Sequence, residues 1–140
     1  MFIQFLQSSI TPVALISGVG LILLSLTNRL SRTIDRSRLL ISELRTAEPS
    51  RKTTIQNELI ILHRRNRYLK SAMGGISFSI LTSSLMIPVL LIMNITAFDL
   101  SIVGSLLLVL SIGGIIVASI YLFADVSLTL KALEIEMNDI

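Results

Sequence analysis

The residue types that usually carry chemistry are scarce in this chain, and their spacing argues against catalysis. His63 is the only histidine and there is no cysteine, which removes thiol nucleophiles, disulfides and thiolate metal sites together. No Ser, Asp or Glu stands at a spacing from His63 that would orient it, so a solvent-facing or capping histidine is expected. Glu134 and Glu136 are two residues apart on a helix and point to different faces, which is not the geometry of a carboxylate pair. Gly74-Gly75 and Gly113-Gly114 follow no strand and are not phosphate loops. Asn94-Ile95-Thr96 matches a glycosylation acceptor but hugs an apolar run. No catalytic residue, metal site or cofactor site emerges, and the chain is not expected to be an enzyme.

What remains is a stripe of small and polar residues, Thr11, Ala14, Gly18, Leu21, Ser25, Asn28, Arg32 and Asp35, at alternating spacings of 3 and 4. Small residues let membrane helices approach closely, and Ser or Asn can hydrogen-bond across such an interface. A packing face is therefore the first reading of Ala14, Gly18, Ser25, Asn28, Arg32 and Asp35. The second is the lining of an ion path, in which small hydroxyl groups lead to an Asn and a ring of Arg. Comparable faces occur at Gly75, Ser79 and Ser83, and again at Gly104, Ser111, Gly114, Ala118, Tyr121 and Asp125. Three such faces exceed what a three-helix monomer needs to bury, so a homo-oligomer is expected. Asp125 is placed at the inner interface, where Arg32 is a candidate partner.

The elements that position these residues follow from the charges. Of the 12 basic residues, 11 fall between residues 28 and 72, and Lys131 is the exception. Long uncharged runs flank this block, and mean hydropathy is +0.81 with 52% apolar residues, so the composition is that of a membrane protein. Cations between apolar spans are retained in the cytoplasm. Net charge of +3 is then a matter of orientation and anionic lipid rather than nucleic acid, with Arg29, Arg64, Arg65, Arg67 and Lys70 as headgroup contacts. The apolar N-terminal run has no basic residue before it, so a first span with its N-terminus outside is expected, without a cleavable signal peptide.

Along the chain, residues 1–7 read as an interfacial lead-in. Thr11 then caps a first span that opens on Pro12, and residues 1–28 form the first segment. Residues 29–70 form a cytoplasmic helical hairpin turned at Glu48, Pro49 and Ser50, with Thr53 and Gln56 as a capping box for the return arm. Its arms carry seams at 4,3,4,3 spacing: Leu30, Ile34, Ser37, Ile41, Leu44, and Ile55, Leu59, Leu62, Asn66, Leu69. Residues 71–124 hold the second and third spans, joined by a short outer link at Asp99, with Pro88 expected to kink the second. Residues 125–140 form a C-terminal cytoplasmic helix with a third seam, Val126, Leu130, Leu133, Met137 and Ile140. Its acidic residues, Asp125, Glu134, Glu136 and Asp139, face two basic arms.

The strings Ile10-Thr11-Pro12, Thr27-Asn28-Arg29-Leu30 and Ile34-Asp35-Arg36-Ser37-Arg38 carry a resemblance to a family of small bacterial inner-membrane proteins known only as a domain of unknown function. The likeness continues through residues 59–67 and into residues 125–134, with Pro12 and Asp125 matching the family pattern. It implies three spans and no established activity.

The chain is thus expected to be all-α, an integral membrane protein with three transmembrane helices extended into a cytoplasmic helical bundle, multi-pass in the bacterial inner membrane, with its C-terminus in the cytoplasm. Two functions fit: a structural or accessory subunit, alone or with other membrane subunits, or a homo-oligomeric ion channel.

Overall fold

The computed structural model describes residues 1–138, which form three helices: α1 (Phe2–Thr46), α2 (Pro49–Ile95) and α3 (Ser101–Asn138). Each is long and apolar enough to cross a membrane. At 45 residues, α1 extends roughly 68 Å at ~1.5 Å per residue, about twice the ~30 Å hydrocarbon core. Each helix is therefore half uncharged and half charged, without a break between. α2 is antiparallel to both neighbours and packs against each of them, whereas α1 and α3 barely touch. The charged halves of all three helices consequently lie at one end.

The packing has one period throughout. Pro12, Val19, Leu26, Thr33 and Leu40 are the buried residues of α1, seven apart. Ile55, Leu62, Leu69, Ile76 and Ser83 repeat that interval on α2, as do Ser111, Ala118 and Asp125 on α3. The seam crosses from the uncharged to the charged half unchanged, although its driving force differs on the two sides. Near the hairpin tip Leu40, Ile55 and Leu62 form an apolar cluster, where each buried aliphatic side chain is worth about 1.5–3 kcal/mol. In the uncharged half the gain comes from close contact and from hydrogen bonds between helices.

Several expectations are corrected. α1 begins at Phe2, so residues 1–7 are not a separate lead-in, Thr11 is not an N-cap, and Pro12 sits inside the helix, buried. A lipid-immersed chain has no water to satisfy a broken helix, so one missing N–H costs less than an interruption. α2 starts at Pro49 with Glu48 as N-cap, and the amides of Arg51 and Lys52 donate to the Glu48 carbonyl at 3.0 Å each. Thr53 is therefore inside the helix and starts nothing.

The second arm's seam is buried or half-buried along its length. The first is displaced by one residue at two places, because Thr33 and Leu40 are buried while Ile34 is half-buried and Ile41 exposed. Thr33 earns an interior position by satisfying its hydroxyl, which donates to the Leu30 carbonyl at 2.9 Å and meets Asn66 Oδ1 across the helix pair. The third seam is not a core: Leu130, Leu133 and Met137 are exposed, and Ile140 and Asp139 lie outside the described residues. α3 turns Asp125, Leu128 and Ala132 inward instead, because Asp125 is held by two arginines.

The outer link, residues 96–100, ends in a cap. Asp99 Oδ1 accepts the Ser101 amide at 3.0 Å and the Ser101 hydroxyl, and these bonds hold its carboxyl below the usual carboxylate range.

Candidate functional site

Three helices meet at one carboxylate. Asp125 of α3 has no exposed side-chain surface, and Arg65 of α2 donates from Nε to its Oδ1 at 3.1 Å. Arg29 of α1 donates from Nη1 to Oδ2 at 3.4 Å, a link between α1 and α3, which otherwise scarcely meet. A buried charge survives only when it is paired and bonded. The seven-residue repeat places Asp125 one interval beyond Ala118, at the first charged position of α3, and Arg29 and Arg65 lie at the same level on the other helices. The pair expected between Arg32 and Asp125 is thus replaced by Arg29 and Arg65.

Below this junction Arg36 grips one Glu58 oxygen from Nε at 3.1 Å and Nη2 at 2.8 Å. Arg29, Arg32, Arg36 and Arg65, with Thr33 and Thr129, line an open cleft of about 300 Å³. Closer to the hairpin tip Arg51 reaches Glu43 at 3.6 Å.

Deep in the uncharged half, α2 and α3 make a second polar junction. Ser111 Oγ lies 2.9 Å from Ser79 Oγ and 2.6 Å from Ser83 Oγ, with all three side chains buried. One turn away, Gly75 and Gly114 bring the backbones together: a Cβ on Gly75 would lie 2.9 Å from the Gly114 carbonyl oxygen, and one on Gly114 2.7 Å from that of Gly75. These glycines and serines belong to the faces that the sequence offers for self-association, and the chain spends them on its own α2–α3 contact. Neither the hydroxyl cluster nor the role of Arg65 follows from spacing alone. The signal for the cluster is the coincidence of Ser83 and Ser111 with the seven-residue repeats.

The stripe of α1 behaves differently. Ala14, Gly18, Ser25, Asn28, Arg32 and Asp35 are all exposed, and a Cβ on Gly18 would meet nothing within 4 Å. Arg64, Arg67 and Lys70 are also exposed, and Arg29 keeps 44% of its side-chain surface while Arg65 keeps 18%. His63, Glu134 and Glu136 are exposed, and Glu136 borders a depression that Arg36, Glu58 and Arg65 also line.

Three helices that can each span a bilayer, joined at a buried ion cluster where their charged halves begin, define a multi-pass α-helical membrane protein. The chain belongs to the family described as protein of unknown function (DUF2721), whose pattern matches residues 9–135. No curated protein and no solved structure matches it.

Proposed function

We propose that the protein is a non-enzymatic, self-associating scaffold or accessory subunit of the bacterial inner membrane, with its N-terminus outside and its charged half in the cytoplasm. The observation that carries this reading is the exposed α1 face at Ala14, Gly18 and Ser25. Gly75, Ser79, Ser83, Ser111 and Gly114 of the α2 and α3 faces are used within the chain, whereas the α1 face keeps its close-approach geometry for a second copy. The orientation rests on 11 of 12 basic residues lying in residues 28–72, an excess that stays on the cytoplasmic side. Exposed Leu130, Leu133 and Met137 on the charged half of α3 give a further subunit an apolar strip to cover.

A channel is the second reading, favoured by the exposed Asn28 and Arg32 at the charged end of the stripe. Several α1 helices around an axis would place an arginine ring at the inner mouth, opposing cations and favouring anions. The mass of the purified complex in mild detergent tests self-association. An oligomer that Gly18→Leu reduces to monomers supports the scaffold, and a monomeric parent overturns it. Conductance in reconstituted bilayers, with charge selectivity altered by Arg32→Glu, would move the oligomer into the channel class.

A further inference from the structure

We infer that the cleft between α1 and α3 is a binding site for the phosphate headgroup of an anionic phospholipid. Arg29, Arg32, Arg36 and Arg65 line it, with the hydroxyl-bearing Thr33 and Thr129 between them. Two carboxylates touch these arginines, Asp125 on Arg29 and Arg65, and Glu58 on Arg36. Four guanidinium groups less two carboxylates leave the cleft at +2, and Arg32 has no carboxylate partner within 4 Å among the described residues. Guanidinium groups converging on one space suit phosphate oxygens, which they bind through parallel N–H donors.

The position of the cleft selects a lipid over a soluble anion. It opens where the uncharged runs of all three helices end, at Asn28, Ser71 and Ala124, which is the level of the headgroups. Basic pockets between transmembrane helices at that level are where acidic headgroups bind. A second depression shares Arg29 and Arg32 and runs back along Leu21 and Leu24 into the uncharged half. Leu24 stands beside the small-residue stripe and is 59% exposed, so an acyl chain can follow it from the phosphate into the bilayer. The weak contact between α1 and α3 leaves the cleft open to this ligand, and a phosphate there would brace the two helices as Arg29 and Asp125 do. The inference uses the membrane placement proposed above but not the self-association, because lipid binding is counted per chain whatever the mass of the complex.

The test is native mass spectrometry of delipidated protein in detergent, titrated with phosphatidylglycerol and, separately, with phosphatidylcholine. One phosphatidylglycerol per chain is expected to bind ahead of any phosphatidylcholine. Arg32→Gln should weaken it about fivefold or more, since each cation near an anionic surface contributes appreciably. Arg38→Gln, exposed on α1 outside the cleft, should change little. Glu58→Gln frees Arg36 and raises the cleft to +3, so it should tighten binding, an effect that misfolding cannot produce. The inference is overturned if Arg32→Gln binds like the parent, if Arg38→Gln weakens binding equally, or if Glu58→Gln fails to tighten it. Displacement of the lipid by millimolar inorganic phosphate would overturn the lipid in favour of a soluble anion.

Discussion

Arg65 of α2 holds Asp125 of α3 at 3.1 Å, Nε to Oδ1, with the carboxylate wholly buried and Arg65 itself 18% exposed. Breaking such a pair from one side leaves the other charge without compensation, at a cost of about 3–5 kcal/mol. Asp125→Ala should fall near the lower end, because Arg29 and Arg65 both retain some access to water. Thermal unfolding in detergent should therefore show a clear loss for Asp125→Ala and a smaller one for Asp125→Leu combined with Arg65→Met. Equal losses would mean that the pair stabilises through its charges and not only by avoiding an orphan.

The glycine contact makes a sharper contrast between neighbours. Gly114→Ala would set its Cβ 2.7 Å from the Gly75 carbonyl oxygen, whereas a Cβ on the adjacent Gly113 meets nothing within 4 Å. Overpacking of this kind costs about 1–3 kcal/mol, while Gly to Ala in an unobstructed helix gains up to ~1 kcal/mol. Gly114→Ala should lower the unfolding temperature and Gly113→Ala leave it unchanged or raise it.

Ser111 joins Ser79 and Ser83 in the uncharged half. Interhelical hydrogen bonds inside a membrane average about 0.6 kcal/mol and reach about 1.7 kcal/mol. Ser111→Ala should cost no more than this, and Ser111→Leu considerably more, because the leucine must fit between two helices already in close contact. The same unfolding measurement distinguishes them.

The number of helices, their passage from uncharged to charged halves and the hairpin turn were all legible in the sequence, because charge segregation and the absence of breakers act locally. The exact faces were not. Apolar periodicity selected Ile34 and Ile41 over Thr33 and Leu40, since it cannot register a threonine whose hydroxyl is satisfied by Leu30 and Asn66. On α3 it selected Leu130 and Leu133, while the buried position belongs to Asp125, whose place depends on arginines 60 and 96 residues away in sequence. A small-residue face is visible in sequence, but whether the chain or a second copy covers it depends on packing. That is why the serines and glycines of α2 and α3 and the stripe of α1 look alike until the fold is known.

The proposed orientation rests on the cationic block and is checked by fused reporters. Thr46 and Asn138 should both report the cytoplasm and Asp99 the exterior, since the helices alternate direction and the basic residues gather at one end. An external Thr46 would reverse the membrane placement.

Self-association through α1 is tested most directly by cross-linking in native membranes, for which the absence of cysteine provides a clean background. Single cysteines at Gly18 and Ser25, on the exposed stripe, are compared with one at Ile120, which is 62% exposed on α3 and lies away from any small-residue face. Oxidation should yield covalent dimers with Gly18→Cys and Ser25→Cys and leave Ile120→Cys monomeric. Monomers at both stripe positions, or dimers at Ile120 alone, would contradict assembly through this face.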